Sequence, residues 1–335
     1  MNSKLHVVFG TGPVGLAVAR ALERRGARTR LVNRSGTAPG APATAELTAA
    51  DAYDPAQAEA ACAGASLVYQ CAAPSYTEWS KLFPSLQKSI LDAAGKTNAR
   101  LVVAENLYMY GETPEPLVET LPYAAKTRKG QVRAELANEV LAAHGAGRVQ
   151  ATIGRAADFF GPFVRGSVVG ERTFIAAIEG KPVDVLGAPD APHSYTFIDD
   201  FGEALVTLGA HDEALGRAWH VPNAAPVTNR KFAELVIEAA RSRSTVREVP
   251  RWMVRAIGLF KPPVREMVEM LYEFERPFIV DDSAFTRAFV PRATPLNAAI
   301  RATVEWHRSR TDPEHLRAGE HGAPEARAAC HRSPR

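Results

Sequence analysis

The sequence predicts an α/β fold in which a parallel sheet is covered on both faces by helices. Two observations carry that expectation. Short apolar runs alternate with helical segments through the first 160 residues, and the runs are apolar along their length rather than at every second residue. A strand that is apolar on both sides is buried on both sides, which calls for helices above and below the sheet. With 46% apolar and 23% charged residues in a chain of 335, the composition is that of a folded globular protein, long enough for one large domain or two smaller ones.

Residues 5–9 (LHVVF) form a first strand that ends at Gly10. Residues 13–25 have helical spacing, with Val14, Val18, Ala21 and Leu22 on one face and Gly26 as the stop signal. Residues 29–33 are the second strand and complete a βαβ unit. A helix then ends at 59–64, followed by a strand at 66–73, a helix at 78–95 and a strand at 99–106. Residues 129–144 are helical, with Val132, Leu136, Val140 and Leu141 in line, and 148–157 are a further strand. Beyond residue 160 the pattern loosens. Several Gly and Pro residues in 161–195 point to loops over a site, helices are expected at 231–241 and 251–275 with a break at Pro262 and Pro263, and 294–309 is a closing helix. Residues 311–335 have no apolar period, and disorder is expected there.

The motif with chemical content is GTGPVG: Gly10, Thr11, Gly12, Pro13, Val14 and Gly15. It follows a strand and opens a helix, the setting in which such glycines hold a dinucleotide. Gly10 permits the tight turn, Gly12 lets the backbone approach a pyrophosphate, and Gly15 lets helix and strand pack closely. The helix N-terminus supplies free N–H groups and a positive dipole end. The second strand ends at Asn33, Arg34 and Ser35, with no acid to hold a ribose 2′-hydroxyl. A guanidinium suits a 2′-phosphate, so NADP is expected in preference to NAD. The fold is therefore expected to be a doubly wound Rossmann sheet: an NADP-binding domain over 1–160, a smaller substrate-binding region over 161–310 interleaved with the last sheet elements, and the tail.

Further segments in this order resemble the extended short-chain dehydrogenase/reductase superfamily, in particular its NAD-dependent epimerase/dehydratase group. They are VYQCAAP (68–74), YMYG (108–111), GRAADFFGP (154–162), SYTFIDDFGEAL (194–205) and RPFIVDDSAF (276–285), and the resemblance spans about residues 5–310. It implies a cofactor in the cleft beside a small C-terminal substrate region. Ala72 and Ala73 would pass near the ribose and nicotinamide, and Asp54 would lie near the adenine. It also implies that a homodimer is possible. The group's catalytic trio is a serine with a tyrosine and a lysine four residues apart. Here the serine position falls on Asn106, and the tyrosine and lysine positions fall on Lys129 and Arg133.

Lys129 and Arg133 stand four apart on one helix face, where two close cations repel and Lys129 would release its proton more easily. The expectation is that Asn106 polarises a substrate oxygen while Lys129 moves the proton, or else that Lys129 anchors the cofactor's ribose and Arg133 is solvated. Tyr108 and Tyr110 follow a strand toward the site mouth and offer alternative acids. Glu105 should point away from Asn106 by strand alternation. His193 reads as a solvated loop histidine, Tyr195 as a neighbour in the same covering loop, and Asp199 and Asp200 as helix caps. The apolar stretch 251–260, with its cations, reads as core or lid packing rather than membrane contact.

A net charge of +3 with no dense basic stripe outside the tail argues against nucleic acid. Cys62, Cys71 and Cys330 have no metal-binding spacing and fit a reducing cytoplasm. No secretory leader and no membrane span is expected. The expected function is an NADP(H)-dependent oxidoreductase for a small molecule. The alternatives are a nucleotide-sugar epimerase or dehydratase, or a non-catalytic protein that senses NADP.

Overall fold

A computed structural model describes residues 4–311; the expected disorder after Thr311, and Cys330 with it, lie outside the described residues. The apolar runs become the strands β1 (Leu5–Phe9), β2 (Arg28–Asn33), β3 (Glu46–Ala49), β4 (Ala65–Gln70), β5 (Arg100–Glu105) and β6 (Ala151–Arg155). Between them lie α1 (Pro13–Arg24), α2 (Pro55–Ala61), α3 (Trp79–Lys96) and α4 (Arg128–Gly145). The C-terminal half contributes β7 (Asp158–Phe160), α5 (Glu171–Ile178), β8 (Val183–Leu186), β9 (Pro192–His193), β10 (Tyr195–Phe197), α6 (Ile198–Ala210) and β11 (Ala218–His220). It continues through β12 (Val227–Thr228), α7 (Asn229–Ala239), β13 (Val246–Val249), α8 (Arg251–Phe260), α9 (Pro262–Val268), α10 (Tyr272–Glu275), α11 (Ser283–Ala288) and α12 (Leu296–Thr311).

Seven parallel strands form the main sheet in the order β11-β6-β5-β4-β1-β2-β3. The order reverses between β1 and β4, and in an open sheet of this kind a ligand crevice lies outside the carboxyl ends of the strands at that reversal. Val7, Val8, Phe9, Val68, Tyr69, Leu101, Val102 and Ile153 are buried in the sheet. One layer, α2, α3 and α4, covers one face; α1 and α6 cover the other. The α1–α6 crossing is close because Gly202 has no side chain: a Cβ there would come within 2.5 Å of the Ala17 backbone.

The expected strands and helices of the first 160 residues are present, but two sheet members were illegible. β3 (ELTA) is a largely exposed edge strand, and β11 (AWH) is three residues long, so neither carries an apolar run. The strand expected over 148–157 is shorter, β6 alone, and it lies in the main sheet; a separate short strand, β7, follows it and pairs with β10. Asp199 and Asp200 are not caps, because Phe197 occupies the cap position of α6. Asp199 instead pairs with Arg20 of α1 at 2.5 Å, and Asp200 accepts from the N–H and hydroxyl of Thr294, both at 2.7 Å. The stretch 251–260 is not core. Only Val254 and Gly258 of α8 are buried, while Trp252, Leu259 and Phe260 are 67%, 77% and 86% exposed. Among the described residues no helix is long and apolar enough to cross a membrane.

His220 on β11 is buried, with Nδ1 3.0 Å from the Asp281 carbonyl and Nε2 2.9 Å from the Tyr110 hydroxyl. Burial, opposed by Glu119, lowers its pKa from 6.5 to about 4. The unfolded chain therefore takes up this proton first, and stability declines as pH falls from 6.5 toward about 4. The expected loss from this group is about 3 kcal/mol. Thermal melts from pH 7 to 4 should show a slope shallower by one proton in His220→Leu; an unchanged slope refutes the assignment.

Candidate active site

The glycine loop lies at the reversal of strand order. Gly10 has φ 96°, and a Cβ on it would sit 2.6 Å from the Ala72 nitrogen, so the segment after β4 runs directly beside it. A Cβ on Gly15 would fall 1.9 Å from the Gly10 carbonyl oxygen. Gly12 differs from both, because a Cβ there would meet nothing within 4 Å. Packing of the chain thus explains the first and third glycines, while the middle one faces open space at the N-terminus of α1. Pro13 stands at the first helical position, and the first turn has no acidic residue. The N–H groups of that turn have no helical partners by geometry and point toward the same space. This cradle fits a diphosphate, whose charge complements the dipole end.

Asn33 ties the loop to β2. Its Nδ2 donates to the Thr11 hydroxyl and the Thr37 carbonyl, each at 2.7 Å, and its Oδ1 accepts from the N–H groups of Ser35 (3.0 Å) and Gly36 (2.7 Å). The Asn33 side chain is thus committed to shaping the turn. It leaves Arg34 exposed, with its charge acting on the Tyr53 phenol. Asp54 caps α2, accepting from Ala56 N–H at 2.9 Å and Gln57 N–H at 3.3 Å.

A second group of side chains gathers at the carboxyl ends of β4, β5 and β6. Asn106 accepts the N–H of Tyr108 at 3.3 Å through Oδ1. The Tyr108 phenol is hydrogen-bonded to that of Tyr76, and burial, reinforced by the charge of Glu273, holds its pKa well above 10.0. α4 can approach this turn because residue 130 is glycine: a Cβ would lie 2.5 Å from the Tyr108 carbonyl. Lys129, only 3% exposed, is bound to Glu266 of α9, stands 3.6 Å from Glu269 and lies 4.3 Å from the centre of the Tyr76 ring. Arg133 stacks on Trp79 and Phe83, 4.3 Å from each ring centre, and burial lowers its pKa to about 10. Two expectations change here. Arg133 is not solvated, and Lys129 meets two carboxylates rather than an unshielded cation, which removes the repulsion argued from helical spacing.

His193 is fully buried rather than solvated. Its ring stacks against Phe274 and Phe278, with Nε2 3.0 Å from Asp158 Oδ2 and Nδ1 3.2 Å from the Glu273 carbonyl. Tyr195 is buried as well, its hydroxyl donating to Asn229 Oδ1. Tyr110 does not reach the site mouth; its hydroxyl lies beneath the cleft between Arg155 (2.6 Å) and His220 (2.9 Å). Glu105 does turn away from Asn106 and forms a buried ion pair with Arg155 at 2.8 Å. Asp158, Glu266, Glu269 and Glu273 were not singled out in the sequence. Asp158 stood inside a quoted motif, but nothing local marked Glu273, because Asp158, Tyr76 and Tyr108, which face it, lie more than a hundred residues away.

The fold and the cradle define a Rossmann-type dinucleotide-binding protein. The chain belongs to the NAD dependent epimerase/dehydratase family, whose model matches residues 7–221, and so to a group of NAD-dependent enzymes. Solved structures share the fold at low identity. The epimerase of Methanothermobacter thermautotrophicus matches with TM-score 0.77 at 16% identity, covering 94% of this chain and 95% of its own. A nucleoside-diphosphate-sugar epimerase from Pseudomonas aeruginosa matches with TM-score 0.74 at 17% identity over 92% and 98%. A dTDP-glucose 4,6-dehydratase from Bacillus anthracis, in complex with NAD, matches with TM-score 0.74 at 13% identity over 92% and 98%. No curated protein sequence matches the chain.

Proposed function

We propose that the protein is an NADP(H)-dependent oxidoreductase acting on a small molecule held between the sheet and the C-terminal region. The observation that carries this reading is the open space at Gly12, which lies at the N-terminus of α1 and near a β2 end that bears Arg34 and no carboxylate. Gly10, Thr11, Gly12, Pro13, Val14 and Gly15 would surround the diphosphate. Arg34 and Ser35 would receive the 2′-phosphate, with Asn33 shaping their turn, and Ala72 and Ala73 would border the nicotinamide half. The bound cofactor supplies or accepts a hydride. Tyr108, whose phenol keeps its proton, serves as donor rather than base. Asn106 has its Oδ1 engaged by the backbone, leaving Nδ2 for a substrate oxygen. Lys129 reaches ribose or substrate only by leaving Glu266 and Glu269, so its contribution is coupled to the position of α9.

Family membership favours a second reading, a nucleotide-sugar epimerase or dehydratase. Against it stands the absence of the Tyr-x-x-x-Lys pair, replaced here by Lys129 and Arg133. Coenzyme titrations test the first reading. Arg34→Ala should weaken NADP⁺ binding roughly 10- to 100-fold, the worth of one or two charge-assisted hydrogen bonds. NAD⁺ affinity should move by less than about 3-fold, since the lost partner is absent from that ligand. Equal losses for both coenzymes would refute the 2′-phosphate assignment.

A further inference from the structure

Glu273 is a buried carboxylate without a counter-charge. It projects from α10, is 2% exposed, and its Oε1 has no hydrogen-bond partner. The groups facing it are Asp158 of β7 and the phenols of Tyr76, Tyr108 and Tyr272. Asp158 is held in place by His193 Nε2 at 3.0 Å, and the other ring nitrogen of His193 faces the Glu273 carbonyl at 3.2 Å. The neighbouring cations are engaged elsewhere: Lys129 by Glu266 and Glu269, Arg133 by the rings of Trp79 and Phe83. Two carboxylates and three phenols therefore converge where the sheet presents its carboxyl ends; Lys129 lies over the Tyr76 ring and the charge of Arg133 acts on Tyr76 and Tyr108, but among the described residues no Lys or Arg pairs with Glu273 or Asp158.

Such a surround is unfavourable when empty, because like charges in a dry site cannot both ionise. Burial, with Asp158 adding to it, accordingly holds the Glu273 carboxyl well above its ordinary range. An organic cation reverses that balance. It pairs with the carboxylates, and electron-rich rings lined with carboxylates are the usual receptor for ammonium groups. The Tyr76 ring already carries one cation, the Lys129 ammonium at 4.3 Å. A metal fits less well, since among the described residues no three His, Cys, Asp or Glu side chains are grouped to hold one. A nucleoside diphosphate would bring negative charge toward Asp158 and Glu273, with which no Lys or Arg pairs among the described residues.

We propose that the substrate carries a positive charge, a protonated amine or an iminium ion, seated between Glu273, Asp158 and the phenols of Tyr76, Tyr108 and Tyr272. This deepens the oxidoreductase reading and rests on its placement of the substrate in this cleft. Because burial and the charge of Asp158 favour the protonated form of Glu273, a cation bound beside it favours the ionised form, and affinity rises with pH through the Glu273 titration.

The test is calorimetric titration of the full chain with benzylamine, its neutral isostere benzyl alcohol, and uridine diphosphate, with and without NADP⁺, in two buffers of different ionisation enthalpy. Benzylamine is expected to bind at least 10-fold tighter than benzyl alcohol, with proton release. Glu273→Gln should abolish the proton release and lower benzylamine affinity at least 10-fold, with NADP⁺ and NADPH affinities within 2-fold of the parent. Asp158→Asn supplies the same reading if the first variant fails to fold. The proposal is overturned if benzylamine shows no saturable binding, if benzyl alcohol matches it, if uridine diphosphate binds tighter than either, or if Glu273→Gln weakens NADP⁺ but not NADPH. The last result would assign the carboxylate to the oxidised nicotinamide. Absence of any coenzyme affinity, with amine binding intact, would sink the oxidoreductase reading and leave the cation site standing.

Discussion

Gly12→Val should abolish most dinucleotide affinity while leaving the fold intact, and Gly15→Ala should do damage of a different kind. Gly12 has φ −75° and ψ −174°, an extended conformation that valine adopts freely, and its added carbon would meet nothing within 4 Å. Nothing in the protein opposes the substitution, so thermal stability should stay near that of the parent. The isopropyl group instead fills the space in which a diphosphate would meet the backbone. Losing two charge-assisted hydrogen bonds of about 1.5 kcal/mol each corresponds to roughly 100-fold in affinity. At Gly15 the added carbon would lie 1.9 Å from a backbone oxygen, so β1 and α1 must separate. Overpacking of this kind costs about 1–3 kcal/mol or more, and the melting temperature should fall. Fluorescence titration with NADPH alongside thermal melts separates the two outcomes. A Gly12→Val protein that binds like the parent would show that the open space is not the cofactor cradle.

Arg155→Leu should be the most destabilising single change beneath the cleft, by about 3–5 kcal/mol. Arg155 and Glu105 are 0% and 1% exposed at their side chains and pair at 2.8 Å. The guanidinium also donates to the hydroxyls of Tyr110 and Tyr123. Removing it leaves an ionised carboxylate in a dry core together with two phenols that have lost a partner. Pairing Arg155→Leu with Glu105→Leu should recover much of the loss, because the desolvation penalty disappears with the charge. Urea melts of both single variants and the double variant measure the coupling. A single-variant loss below about 1 kcal/mol would mean that water reaches the pair. The consequence extends to function: β5 leads into Asn106 and Tyr108, and β6 leads into Asp158, so loosening the pair loosens the cleft floor.

The glycine loop and the alternating apolar runs were legible because their signals are local. Three glycines between a strand and a helix state a backbone conformation, and an apolar run of five or six residues states burial on two faces. The short strands β3 and β11 were not legible, since four exposed residues or three buried ones carry no period. Asn106, Tyr108 and Lys129 were found by position relative to motifs, and the structure brings them to one end of the sheet. Their surroundings could not be read. Lys129 was placed beside Arg133 by helical spacing, yet its partners Glu266 of α9 and Glu269 just past its end arrive from 137 and 140 residues away. His193 looked like a loop residue because nothing adjacent to it announces Asp158, Phe274 and Phe278.

The sequence by itself determined the central strands of the sheet, the glycine loop and the lack of the usual tyrosine and lysine, because each depends on residues within one turn or one strand of each other. Only the tertiary structure decided the charge of the cleft. Electrostatic energy depends on distance through a dry interior, and the folded chain brings Glu273, Asp158 and three phenols together from four separate segments, while Lys129 pairs with Glu266 and Glu269 and Arg133 stacks on Trp79 and Phe83.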